Sequence, residues 1–129
     1  MALTLAIVDE TTSGARSSAG EICFEAETVT LRELIRRRVQ QEVERFNRSE
    51  APVFRGLIEP GETERILNGV RERRALDWER QYAKAIAAFE GNGFLVLVDD
   101  RQITELDEEI ALTAQSRISF LKLVPLIGG

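Results

Sequence analysis

The most constraining feature of this sequence is a single long amphipathic helix pattern with strand patterns on both sides of it. Thr30 and Glu33 have the spacing of a capping box, in which each side chain can bond the other residue's backbone N–H. Apolar residues then recur every three or four positions as far as Phe46, which predicts a helix from Leu31 to Asn47 with one apolar face. We expect that face to pack against a sheet built from the flanking strands.

Two strand patterns precede the helix. Residues 2–8 place Leu3, Leu5 and Ile7 on one face of a strand, and residues 21–27 alternate apolar with polar side chains, as a half-buried strand does. The polar, glycine-containing stretch 9–20 lies between them and predicts a loose connection. The two segments therefore predict an antiparallel hairpin.

Further strand patterns follow in the last third of the chain. Residues 94–98 form a continuous apolar run, which is typical of a strand buried on both faces, and Asp99-Asp100 predicts a turn into a short strand at 101–104. Residues 118–124 predict the last strand, which Pro125 ends because proline has no N–H to donate. The order predicts an α+β fold in which a mixed sheet of about four or five strands packs on one main helix, with the first and last strands parallel at the centre.

Residues 49–93 do not fit that plan and predict a helical insertion within a single domain, 1–129. A short helix is expected between Gly61 and Gly69, and a longer one from about Arg74 to Glu90. The apolar stripe predicted for the longer helix consists of Leu76, Tyr82, Ile86 and Phe89.

Composition excludes several kinds of site. The 129 residues contain no histidine and one cysteine, Cys23, so a histidine-based catalytic site and an internal disulfide are both excluded. The acidic residues between 99 and 109 are interpreted as solvated loop side chains rather than as a metal site. The net charge of -5 gives no signal for nucleic acid, and no apolar run has the length of a membrane span. Because no signal peptide is recognisable either, we expect a cytoplasmic protein with neither nucleic acid nor membrane as a partner.

Arginine supplies most of the positive charge. The clusters 36–38 and 71–74 are interpreted as solvated helix faces, and the alternative is a docking patch for an acidic partner. The only lysines are Lys84 and Lys122.

The sequence ends in Gly128-Gly129. We expect 125–129 to form a flexible tail, because glycine has no Cβ and its backbone reaches conformations that other residues rarely adopt. The alternative is a frayed terminus with no function.

The element order and this ending together resemble the ubiquitin-like β-grasp family, in particular the sulfur-carrier small subunit of molybdopterin synthase, its thiazole-pathway counterpart and bacterial ubiquitin-like modifiers. The resemblance covers 2–47, where the helix opening 27–34 is the best part, and 95–129. It does not include 49–93, and the family's Asp-Gly-Asp turn is replaced by residues 113–116.

The resemblance implies a substrate or carrier rather than an enzyme, with no catalytic residue, bound cofactor or metal of its own. A ubiquitin-activating-type partner would use ATP to adenylate the carboxylate of Gly129, and the glycine pair would let the tail enter that enzyme's narrow channel. The resemblance also implies that Pro125 stiffens the tail and that Leu126 and Ile127 anchor it in an apolar groove. A modifier would then be joined to target amines through thioesters, with a conjugating enzyme, an isopeptidase and target proteins as further partners. The alternatives are a sulfur carrier with a C-terminal thiocarboxylate, for cofactor or tRNA sulfuration, and a β-grasp interaction module that is not conjugated.

Partners are expected to dock on the exposed face of the last strand. Alternation exposes either Phe120, Lys122 and Val124 or the set that includes Leu121 and Leu123, and we take the first set as the prediction. As the only lysines, Lys84 and Lys122 are the possible acceptors of a second copy, so we expect little self-conjugation.

Overall fold

A computed structural model describes residues 2–49, 56–60, 76–123 and 127–128. The helices in these ranges are α1, Leu31–Arg48, and α2, Trp78–Glu90. The strands are β1 Leu3–Thr11, β2 Arg16–Phe24, β3 Thr28–Thr30, β4 Glu59–Pro60, β5 Phe94–Val98, β6 Arg101–Ile103, β7 Glu109–Ala111, β8 Ile118–Lys122 and β9 Ile127–Gly128. The short helix predicted between Gly61 and Gly69 lies outside the described residues, as do Val124, Pro125, Leu126 and Gly129.

A mixed five-stranded sheet in the order β2-β1-β8-β5-β6 organises the chain. β1 and β2 form the predicted antiparallel hairpin, and β1 and β8 pair in parallel at the centre, as predicted. β5 is antiparallel to both β8 and β6. With the helices, this sheet confirms the predicted α+β class.

The β1–β2 connection is tighter than the polar stretch 9–20 predicted. β1 continues to Thr11 and β2 begins at Arg16, so much of that stretch is paired backbone. Polar residues can extend a hairpin in this way because the ladder is made by main-chain groups. The register shifts between Ala6 and Val8, where the pairing is irregular.

Helix α1 begins at the predicted cap. The Thr30 hydroxyl accepts a hydrogen bond from the Glu33 N–H at 3.1 Å. The Glu33 carboxylate, predicted to reach back to Thr30, instead pairs with Arg36 at 2.6 Å. Thr30 also lies in β3, which pairs with β7, so the start of the helix is held by a strand pair as well as by its cap.

One face of the sheet and the apolar stripe of α1 form the core. Phe94 and Phe120 are fully buried on neighbouring strands, with ring centroids 5.8 Å apart. β5 was predicted to be buried on both faces, but Leu95 and Leu97 are partly exposed. The buried α1 residues are Leu31, Leu34, Ile35, Arg38, Val39, Val43 and Phe46.

Helix α2 packs against α1 along a line that differs from the predicted stripe. Its most buried residues are Gln81 and Ala85, whereas Tyr82 and Phe89 are only partly buried. The alanine side chain is a single methyl group, so Ala85 permits close approach of α1. Neither helix in the described ranges is both long enough and apolar enough to cross a membrane.

The capping role of the Thr30 hydroxyl can be tested directly. In a Thr30→Ala variant the Glu33 N–H loses its acceptor, and the free energy of unfolding should fall by about 1 kcal/mol. Urea denaturation measures the change. Thr30→Ser keeps the hydroxyl and should retain most of the stability, so an equal loss in both variants would contradict the capping role.

Candidate functional site

The chain leaves the five-stranded sheet at the end of β8. We define the tail junction as the group of residues that meet here: Asp9, Arg38, Glu42, Phe120 and Lys122. The parallel register of β1 and β8 sets Asp9 opposite Phe120, and α1 brings Arg38 and Glu42 to the same place.

Arg38 is the centre of the tail junction and is 1% exposed. Its Nη1 and Nη2 donate to the two carboxylate oxygens of Asp9 at 2.6 and 2.8 Å, which is the bidentate geometry that binds a carboxylate best. Its Nε donates to Glu42 Oε1 at 3.3 Å. The guanidinium carbon lies 4.5 Å from the centroid of the Phe120 ring, within cation–π range.

The charge of Arg38 is fixed by these partners. Burial by itself lowers the pKa of the guanidinium, but the negative charge of Glu42 and the hydrogen bond with Asp9 outweigh it and raise the pKa above the ordinary value. A base whose pKa is raised by folding stabilises the folded state. This stabilisation is fully present at every pH below the ordinary pKa and is lost only as the pH rises through the raised pKa. Arg38 therefore remains a cation at neutral pH and does not titrate there.

The burial of Arg38 corrects the interpretation of cluster 36–38 as a solvated helix face. Arg36 and Arg37 are partly exposed, but Arg38 lies inside. A signal for this was present, because Arg38 continues the apolar stripe one turn after Leu34 and stands one turn before the carboxylate of Glu42.

The first described residues of the insertion are fixed against the same network. Leu57 and Ile58 are 1% and 4% exposed. The Leu57 N–H donates to Glu42 Oε1 at 3.0 Å, on the oxygen that also faces Arg38. Segment 56–58 is thus attached to the tail junction through Glu42.

Two of the predicted docking residues, Phe120 and Lys122, lie on the side of the sheet that faces α1. Phe120 is 0% exposed, so it belongs to the core and is unavailable to a partner. Lys122 lies on the same side, with its Nζ 3.7 Å from Asp9 Oδ2 and its side chain 25% exposed. Val124 is outside the described residues.

Alternation then assigns the intervening residues of β8 to the opposite side of the sheet, which we call the second face. Its central residues are all partly exposed, and Leu123, just after β8, is 37% exposed. The second face consists at its centre of Val8, Leu95, Leu97, Ser119 and Leu121.

Both lysines are shielded. The Nζ of Lys84 is buried, and Lys122 is partly buried beside Asp9. Because an amine must be accessible to attack an acyl group, neither lysine is placed as a ready acceptor.

The acidic residues of the 99–109 region do not converge. Each of three makes a separate local contact: Asp107 with Arg32 at 3.2 Å, Glu108 with Arg101 at 2.7 Å, and Asp99 Oδ1 with the Arg117 N–H at 2.9 Å. In the described part of the chain no group of three acidic or cysteine side chains is arranged to hold a metal ion.

Of the predicted tail residues, the structure describes Ile127 and Gly128. They form β9, which pairs in parallel with β4, so that Glu59 faces Ile127 and Pro60 faces Gly128. The sequence predicted no pairing here.

Comparisons with protein-family models, with curated protein sequences and with solved structures found no match to this chain. The functional interpretation therefore depends on the arrangement of the tail junction, the second face and the tail.

Removing the charge of Arg38 should destabilise the protein strongly. Arg38→Met leaves two largely buried carboxylates without their main cation, and we expect the free energy of unfolding to fall by about 3 kcal/mol. Arg32→Met is the matched control, because Arg32 makes an exposed ion pair with Asp107, and such a pair contributes little to stability. Urea denaturation compares the two variants, and similar losses would contradict the central position of Arg38.

Proposed function

We propose that this protein is a ubiquitin-like modifier that adopts the β-grasp fold. Its reactive group is the main-chain carboxylate of Gly129, which a partner enzyme adenylates and which is finally joined to an amine of a target protein. That Gly129 is the last residue of the mature protein is part of the proposal.

The topology supports the fold. An antiparallel hairpin is followed by a helix that crosses the sheet, and the chain returns as β8, parallel to β1. The helix packs on one face only of a mixed sheet. This is the arrangement that the resemblance to the β-grasp family implies.

The observation that carries the functional proposal is the position of β8. It is the middle strand of the sheet, it is held by the tail junction, and it is the last strand of that sheet before Gly128-Gly129 in the sequence. A reactive end that leaves a rigid central strand starts from a defined place, which lowers the entropy that a partner must remove when it binds the tail.

The chemistry needs no catalytic side chain in this protein, which has no histidine. The carboxylate oxygen of Gly129 attacks the α-phosphorus of ATP, and pyrophosphate leaves. A cysteine thiolate of the partner then attacks the activated carbonyl, AMP leaves, and a thioester forms. A target amine displaces that thiolate to give an amide.

The second face is the docking surface that fits this function. Val8, Leu97 and Leu121 present apolar side chains on adjacent strands, on the side away from α1. Leu121 lies on the same strand that leads to the tail, so an enzyme bound there is close to the start of the tail.

The proposal is tested with purified protein, ATP, the adenylating enzyme encoded nearest to its gene and a cell extract that supplies conjugating enzymes and target proteins. We expect a Gly129 adenylate and then an amide between Gly129 and lysines of other proteins, both detected by mass spectrometry. The control variant lacks Gly128 and Gly129 and should give neither product. Unchanged activity of this truncated variant, or a native protein that extends beyond Gly129, would contradict the proposal and favour an interaction module.

One feature favours a second candidate, the sulfur carrier. The residue before the glycine pair is the apolar Ile127, which resembles the sulfur-carrier tail more than that of ubiquitin. In the same reaction supplied with sulfide, the sulfide would displace AMP from the Gly129 adenylate of a carrier and leave a thiocarboxylate. The carrier would gain the mass that accompanies replacement of one carboxylate oxygen by sulfur, and no amide to a target lysine would form.

The shielded lysines predict that a modifier of this kind is attached mainly as single copies. Amides from Gly129 to Lys84 or Lys122 should be rare, because one amine is buried and the other is beside Asp9. Lys84→Arg and Lys122→Arg should therefore leave the pattern of adducts unchanged on a denaturing gel. Loss of a ladder of adducts in either variant would contradict this expectation.

A further inference from the structure

The pairing of β9 with β4 gives the tail a place to bind within its own chain. β9 contains Gly128, and β4 follows directly from the buried segment 56–58. The two strands lie outside the five-stranded sheet and form a separate pair. Their contact therefore can open without disturbing the main core.

The β4 side of the pair has a fixed base. Leu57 and Ile58 are buried just before β4, and the Leu57 N–H is bonded to Glu42. Because Glu42 is itself held by Arg38, β4 begins from the tail junction.

The β9 side also has a fixed base. Lys122 ends β8 beside Asp9, and the Leu123 N–H donates to the Gly93 carbonyl at 2.9 Å. Few residues separate Leu123 from Ile127, so bringing β9 onto β4 closes a short loop between two points that are already held.

The pair is weak enough to be reversible. Each strand has two residues, and Pro60 has no N–H to contribute to the ladder. One or two net backbone hydrogen bonds correspond to a closed-to-open ratio of about ten. Such a contact holds the tail for most of the time and still releases it without unfolding the protein.

We propose that segment 56–60 is a latch that holds Ile127 and Gly128 against the protein and so restricts access to the end of the chain. An enzyme that encloses an extended tail needs both edges of its backbone, and in the closed form β4 occupies one of them. The open form alone is then competent, so the apparent affinity of any tail-binding enzyme is reduced by the open fraction. The role of the latch in controlling activation rests on the proposed function, but the latch itself can be measured without an activating enzyme.

The first measurement uses the unaltered protein. Amide hydrogen exchange by NMR should show Ile127 or Gly128 exchanging about tenfold more slowly than an unstructured peptide of the same sequence. Nuclear Overhauser contacts should connect residue 59 with residue 127. Absence of both the slowed exchange and the contacts would overturn the latch.

The second measurement opens the latch from the β4 side and leaves the tail sequence intact. Glu59→Pro removes a backbone N–H from β4, and Glu59→Ala is the matched control because it removes the same side chain and keeps the N–H. Glu59→Pro should raise the rate at which a carboxypeptidase releases Gly129 by about fivefold to tenfold, whereas Glu59→Ala should change it little. Unchanged melting temperatures establish that both variants are folded, and equal digestion rates of the two folded variants would overturn the proposal.

A third comparison separates the latch from the proposed function. If the latch is present by exchange and digestion but no enzyme adenylates any variant, the latch is supported and the modifier proposal fails. If adenylation occurs but exchange and digestion show no latch, the modifier proposal is supported and the latch is wrong.

Discussion

The buried guanidinium of Arg38 is the interaction on which the arrangement of the tail junction depends. It binds β1 through Asp9 and stacks on β8 through Phe120, while Glu42 extends the network to the backbone of Leu57. Removing such a charge from water is costly, and the loss of one partner leaves the other charged groups buried without compensation. The two central strands and the first described residues of the insertion are therefore fixed together around one helix.

A fixed base of this kind suits a protein whose reactive group lies at the end of its chain. In the proposed function the folded body contributes no catalytic side chain and only presents the carboxylate of Gly129. The proposed reacting group is a main-chain carboxylate, which is compatible with a sequence that has no histidine. The strong buried network sets where the tail begins, and the short β4–β9 pair would set how often its end is available.

The hairpin, helix α1 and the parallel central pair could be predicted because each has a local periodicity or follows from the handedness and length of the crossover. Arg38 was missed because arginine counts as polar in such a pattern, although Glu42 one turn later indicated a buried pair. The exposed side of β8 was undetermined because residues 118–124 carry apolar side chains on both faces, so alternation gives little contrast. The short pairs β3–β7 and β4–β9 have too few residues for any periodicity, and tertiary context alone selects their partners.

The most direct test of the modifier proposal is a search for its products in cells that make the protein. Trypsin cleaves after Lys122, which is the last basic residue, so every target joined to Gly129 would keep residues 123–129 as a branch on its lysine. The proposal predicts branched peptides of this composition on lysines of other proteins. Recovery of 123–129 only as a free carboxylate or thiocarboxylate peptide, with no branch on any lysine, would contradict it.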